Sequence, residues 1–306
     1  LLDNMKKVFL LILLFFIANV SFGQANLLNA KNPSEIGDSS ESKAVSEFLD
    51  YEYVDDKDIL WSKVVYEFID LNERLNFPLL FPVNDTKYDD TRKSLWRVIR
   101  ENIENGKISE VYDSNNDNFT EASRIIGKDS TDLEAKVFKN YNISDIYKSK
   151  YVPESFVPRE VASSADIFGY VIKGVWYFDK IHAELRYRLL AIQPYGKDLK
   201  TSVDGEETET GYFWIWYPSI REILDDHLVF NDKNNNNRIS FDELLINRRF
   251  SSYIYKYDNV YGDREIRDYI RQRDNESYAQ WQTRIVMESE RIKKEILDFE
   301  IDMWGY

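Results

Sequence analysis

The order of apolar and polar positions already divides the chain into elements. Leu60 to Leu71 is dense in Trp, Val, Tyr, Phe and Ile; its apolar positions satisfy neither the helical nor the strand period cleanly, and the β-branched and aromatic content favours a strand over a helix. Phe77-Pro78-Leu79-Leu80-Phe81-Pro82 follows, and two prolines predict an extended or turning stretch. Leu95, Trp96, Ile99 and Ile103 share one helical face, which predicts a helix over 91–105 closed by Gly106. Residues 113–150 are rich in Asn, Asp and Ser and read as a mobile insertion. Three β-rich runs at 167–179, 183–193 and 209–217 predict an antiparallel meander. Turn formers at Pro194-Tyr195-Gly196 and Asp204-Gly205 separate the last two. Helices are expected at 219–230 and 241–250, on either side of an Asn-rich loop.

The clearest periodicity lies at the C-terminus. Tyr278, Trp281, Ile285, Ser289, Ile292, Ile296, Phe299 and Met303 follow one another at steps of three or four. They form one stripe of a long amphipathic helix, suited to packing on the protein's own sheet or docking into another subunit. Together these elements predict an α+β fold, a mostly antiparallel sheet flanked by helices.

The first residues read differently. Lys6 and Lys7 precede the apolar run Val8–Ile17, and small residues Ser21 and Gly23 come after it. This is the pattern of a secretory signal peptide over 1–23, too short for a spanning helix. From Ser34 to Asp58 nine acidic residues stand against Lys43 and Lys57, so 24–57 is expected to be a flexible acidic arm. Phe48, Tyr51 and Tyr53 would anchor it on a partner. Residues 58–306 are then a single domain, and after cleavage no membrane span is expected.

Charge and composition narrow the function. A formal net charge of −14 with no basic cluster argues against nucleic acid and anionic membrane surfaces. Cysteine is absent and only His182 and His227 are present, which removes disulfides and thiolate chemistry and leaves most hydrolase sets incomplete. Neither a Gly-x-Ser-x-Gly elbow nor a phosphate-binding glycine loop occurs, so no catalytic residues and no cofactor are assigned.

One loop has the spacing of a calcium site. Asp232, Asn234, Asn236, Arg238 (through its carbonyl), Ser240 and Glu243 occupy the ligand positions of a twelve-residue EF-hand loop. Asn237 replaces the usual glycine, and only two ligands are charged. The same residues fit a turn capping the helix that begins near Ser240. The run Tyr212–Tyr217 is apolar on both faces, so Trp214 and Trp216 are candidates for core, interface or sugar stacking. An exported calcium- or glycan-binding module is therefore an alternative reading.

Several segments together resemble the GldN/PorN family of the type IX secretion and gliding-motility machinery of Bacteroidota. The resemblance rests on Leu60-Trp61-Ser62-Lys63 through Ile69-Asp70-Leu71, Phe77-Pro78-Leu79 and Trp176-Tyr177-Phe178-Asp179-Lys180. It continues through Phe213-Trp214-Ile215, Tyr217-Pro218, Arg221, Leu224 and Arg249-Phe250-Ser251-Ser252-Tyr253-Ile254. Its most specific part is the terminal Glu300-Ile301-Asp302-Met303-Trp304-Gly305-Tyr306. Gly174 stands where the family pattern has an acidic residue. The resemblance implies a non-enzymatic structural subunit in the periplasm, at the inner face of the outer membrane. It implies self-association in a ring with a GldK/PorK-type outer-membrane lipoprotein, facing the periplasmic region of a GldM/PorM-type motor protein. On this reading Trp281 and Trp304 join the interface candidates, Trp304 anchoring the end of the last helix.

Overall fold

The computed structural model describes residues 49–84, 92–125, 139–140, 160–198, 208–230 and 238–304. Its centre is an antiparallel sheet whose two long strands, Ile167–Asp179 (β6) and Glu184–Lys197 (β7), are neighbours. Ile59–Asp70 (β1) lies on the other side of β6, and Tyr253–Tyr257 (β10) forms the edge beyond it. On the β7 side come Glu209–Gly211 (β8) and Phe213–Trp216 (β9), then Val111–Asp113 (β2) and Arg124–Ile125 (β3). A separate pair joins Lys139–Asn140 (β4) to Glu160–Val161 (β5).

The alternation along β1 sets the two layers. Val65, Glu67 and Ile69 point to one face, Val64, Tyr66 and Phe68 to the other. Helices cover the first face: Leu95–Glu104 (α2), Arg221–Asp225 (α3), Phe241–Ile246 (α4), Ile266–Tyr269 (α5) and Tyr278–Trp304 (α6). Trp96, Ile99 and Ile103 of α2, Leu224 of α3 and Phe241 and Leu245 of α4 join Ile172, Leu189, Ile192 and Ile215 in the main core. Further along the same face Ile285, Ile292 and Ile296 of α6 pack on Val65, Ile254 and Tyr257.

The α+β reading and the meander stand, with local corrections. Phe77–Leu80 (α1) is a helical turn and not extended chain. Pro78 sits in its first turn, where a missing N–H breaks no bond. Helix α2 starts at Leu95 because Ser94 caps it, its Oγ accepting from the Arg97 N–H at 3.1 Å. Gly106 closes it with φ +72°. Pro194 does not end β7, which runs on to Lys197, and the Pro194 carbonyl accepts from the Tyr212 N–H. The strand expected at 209–217 is broken at Tyr212 into β8 and β9. The helices expected at 219–230 and 241–250 stop at Asp225 and Ile246. Part of the expected 113–150 insertion belongs to the sheet, since β2 pairs with β9 and β3 pairs with β2.

Gly174 has a steric reason. A Cβ there would lie 2.1 Å from the Tyr187 hydroxyl oxygen, so this position at a β6 bulge leaves room for the half-buried Tyr187 side chain.

The stripe of α6 is only partly buried. Ile285, Ser289, Ile292 and Ile296 are inside, and Phe299 stacks on Trp61 at 4.6 Å. Tyr278 and Met303 remain exposed. Ser289, the one polar member, is fully buried, and its Oγ accepts from the Ile254 N–H at 2.8 Å. Lys293 donates to the Ser252 carbonyl beside it. The helix thus satisfies groups of an edge strand that would otherwise need water or another strand. Ser289→Ala should cost about 1–3 kcal/mol by stranding that amide, read as a lower urea midpoint with an unchanged slope.

Candidate functional site

The second face of the sheet has a different chemistry. Tyr66, Val171, Ala191 and Trp214 are buried there, ringed by Phe68, Tyr112, Phe119, Tyr195, Trp216 and Tyr255. A register shift between Tyr66 and Glu67 in the β1–β10 pairing accompanies two consecutive β10 residues on this side. Tyr255 lies 6.3 Å from the Tyr66 ring, and the Lys256 ammonium is 4.4 Å from the same ring.

A loop is pinned on this face. Asp117 accepts from the Tyr66 hydroxyl at 2.6 Å and from Lys256 Nζ at 3.1 Å, while Lys173 Nζ donates to the Asp117 carbonyl at 2.8 Å. Lys173 also lies 5.3 Å from the Phe119 ring, a cation–π contact. Phe119 in turn meets Trp214 and Trp216 edge-on. Burial pushes the Asp117 carboxyl up, but the hydrogen bonds from Tyr66 and Lys256 outweigh it and hold it below the usual range. Burial pushes Lys173 down, with Asp117 opposing.

A carboxylate depressed in the folded state stabilises above its unfolded pKa, and that stability is lost as pH falls through the folded value. Asp117→Asn should therefore cost about 1–2 kcal/mol at pH 7. The gap from the natural protein should begin to narrow below about pH 4 and keep closing as pH falls towards the lower folded value. Urea unfolding followed by tryptophan fluorescence from pH 3 to pH 8 measures it.

Beside this loop the face opens into a cleft of about 620 Å³, walled by Tyr278 and Trp281 from the start of α6. Phe68, Tyr195, Tyr253 and Tyr255 line it, with Gln193, Glu209, Glu265 and Arg267 at its polar margin. Phe68 meets Tyr195 edge-on at 5.4 Å and Tyr253 at 5.6 Å.

The expected site residues fall in several places. Phe48 lies outside the described residues. Tyr51 is held by its own domain: its hydroxyl donates to the Leu189 carbonyl at 3.1 Å, and Arg221 lies 4.1 Å from its ring. Tyr53 is 86% exposed. Trp214 is buried, and Trp216 packs on Phe119. Trp281 donates its indole N–H to the Ile270 carbonyl and faces the cleft. The Trp304 side chain lies outside the described residues.

Of the loop with calcium spacing, Asp232, Asn234 and Asn236 lie outside the described residues. Ser240 caps α4 by accepting from the Glu243 N–H, Arg238 is buried, and Glu243 is 3.5 Å from Arg249. Among the described residues no group of three or more His, Asp or Glu is placed to hold a metal. His182 pairs with Asp179 at 2.7 Å, and His227 hydrogen-bonds the Ile223 carbonyl.

Sequence reasoning missed Asp117, Lys173, Lys256 and the tyrosines of β10. Tyr253-Ile254-Tyr255-Lys256-Tyr257 does alternate, but its flanking bulge is invisible without the partner strand.

No curated relative matches the chain. A family described as "Gliding motility associated protein GldN" matches residues 54–305, from the end of the acidic segment to the penultimate residue. The match takes in both faces of the sheet, the cleft and the last helix, and the chain belongs to this GldN family.

Proposed function

We propose that this protein is a non-enzymatic structural subunit of a secretion and gliding complex. It resides in the periplasm at the inner face of the outer membrane. There it assembles with a GldK/PorK-type lipoprotein into a ring that meets the periplasmic part of a GldM/PorM-type motor protein. Membership of the GldN family over residues 54–305 carries this reading.

The last helix supports it. Opposite its buried stripe, α6 exposes Val286, Met287, Leu297 and Ile301, the first and last of them at 50% and 66%. A surface helix in a monomer keeps its outer face polar. Residues 278–294 of the helix carry Arg284, Arg291, Lys293 and Lys294 against Glu288 and Glu290, whereas Glu295, Asp298, Glu300 and Asp302 at its end have no basic residue among them. That order opposes the helix dipole and suits contact with another copy of the chain running in the opposite sense. Among the described residues no helix is long and apolar enough to cross a membrane. The arm reaches the lipoprotein with residues before Leu49, because Leu49 and Glu52 are tied to the domain through Arg221, Arg186 and Arg188.

The test is a tagged copy purified from the native envelope in mild detergent. A very large particle containing the lipoprotein and the motor protein is expected. Leu297→Glu with Ile301→Glu should leave a folded protein that is depleted from it. Recovery of the unaltered protein alone, at about monomer mass, would sink the assembly reading.

A further inference from the structure

The cleft has an unusual lining for a subunit whose role is assembly. Its aliphatic residues are Val171 and Ile285, whereas the remaining apolar surface comes from aromatic rings. The hydroxyls of Tyr195, Tyr253 and Tyr255 make no hydrogen bond among the described residues. Gln193 spends its Nε2 on the Ser114 carbonyl at 3.2 Å, which leaves its oxygen as an acceptor. Glu209 adds a carboxylate acceptor, and the Glu265–Arg267 ion pair adds a second carboxylate and guanidinium donors beyond the one that joins them.

This set discriminates between ligand classes. A lipid tail or the apolar face of a helix needs aliphatic walls and would desolvate the Glu209 carboxylate without offering it a donor. Nucleic acid would bring phosphates to Glu209, Glu265 and Asp117. A polyproline segment fits aromatic ridges, but its backbone offers acceptors and no donors to the carboxylates. A pyranose ring offers both. Its axial C–H groups carry partial positive charge and lie well on the negative face of an aromatic ring. Its hydroxyls donate to carboxylate and amide oxygens and accept from tyrosine and arginine. The volume lies within the range of small-ligand sites.

We infer that the cleft between β1, β10 and the start of α6 is a saccharide-binding site for a chain of pyranose units, with Tyr195 and Tyr253 as stacking platforms and Glu209 and Gln193 as hydroxyl acceptors. The ring assembly proposed above does not require it. A subunit with this site would hold its complex against an envelope polysaccharide as well as against protein partners.

The test uses the full chain and isothermal titration calorimetry with two probes, tetra-N-acetylchitotetraose and cellotetraose. Binding to at least one is expected. Chitotetraose alone points to an N-acetylated strand, and cellotetraose alone to a neutral glucan. Tyr253→Ala should weaken binding at least tenfold, with Tyr195→Phe and Glu209→Gln each weakening it at least threefold. These last two are the safeguard, because they remove one hydroxyl and one charge without emptying any core position. Failure of both sugars to bind overturns the proposal. So does unchanged binding by Glu209→Gln and Tyr253→Ala together, or capture of a proline-rich decapeptide in place of the sugars. Glu209→Gln should still enter the envelope particle, so loss of sugar binding and loss of assembly are separable results.

Discussion

Asp242→Ala should lower the stability of the protein by about 3–5 kcal/mol, the range for breaking a buried ion pair from one side. Asp242 and Arg221 each expose only 6% of their side chains. Arg221 grips both oxygens of the carboxylate, Nε to Oδ1 at 3.2 Å and Nη2 to Oδ2 at 3.1 Å, while the fully buried Tyr217 hydroxyl donates to Oδ1 at 2.8 Å. Removing the carboxylate takes both of these bonds from a buried guanidinium and leaves a buried phenol without its acceptor. Asp242 also lies in the first turn of α4, where the helix dipole favours negative charge. Asp242→Asn keeps an acceptor for Tyr217 and should cost less. The guanidinium is also the seat of Tyr51 and donates to the Leu49 carbonyl. Hence the alanine variant should become cleavable by protease near residues 49–57 before the domain unfolds globally. Chemical denaturation at pH 7 and limited proteolysis read the two effects. A loss below about 1 kcal/mol would place the pair in the class of surface bridges, against its burial.

Much of the sheet was legible because its signal is local. The run 167–179 carries enough β-branched and aromatic residues to read as a strand without knowing its neighbours, and the same enrichment tips Leu60–Leu71 from helix to strand although its periodicity fits neither. What could not be read depends on partners distant in sequence. Pro194 looks like a turn because proline lacks an N–H, yet its carbonyl is the group the sheet uses. Pro78 looks like a breaker, yet in a first turn it breaks nothing. Ser289 was counted with the apolar stripe by spacing alone. Its place is set by an amide 35 positions away in sequence, which no helical periodicity contains.

The candidate site was less legible than the fold for the same reason. Trp214 and Trp216 stood out as a dense aromatic run, and such density marks burial more often than a free surface. The rings that line the cleft are spread over β1, β7, β9, β10 and α6, one or two from each. Their convergence is a property of strand order and of the bulge near Tyr255. Tyr51 shows the converse: expected as an anchor on a partner, it is held by Leu189 and Arg221 of its own chain.

The end of α4 combines backbone and charge, and substitutions at Arg248 should separate them. Arg248 has φ +51°, its N–H bonds the Leu245 carbonyl, and the Arg249 N–H bonds that of Leu244. This is the glycine-type helix stop with arginine in the left-handed position, which is why the sequence pattern of α4 seemed to run on to Phe250. The side chain accounts for the exception. Its Nη2 reaches Glu67 Oε2 at 2.7 Å, and the guanidinium lies 4.3 Å from the Tyr187 ring. Glu67 is 1% exposed, and its other oxygen, Oε1, is buried without a hydrogen-bond partner among the described residues. Arg248→Ala keeps the unfavourable backbone and strands a buried carboxylate, so a loss of about 3–5 kcal/mol is expected. Arg248→Gly strands the same carboxylate but relieves the left-handed backbone, which is worth about 1–2 kcal/mol. Its loss should be smaller by that amount. Adding Glu67→Gln to Arg248→Gly removes the orphaned charge and should recover most of the remainder, with Ser252 still able to donate to the amide oxygen. Urea denaturation of the three variants gives the ordering directly. If Arg248→Gly proves as unstable as Arg248→Ala, the backbone carries no strain at this helix end. If the double variant recovers nothing, the buried charge is not what Arg248 neutralises.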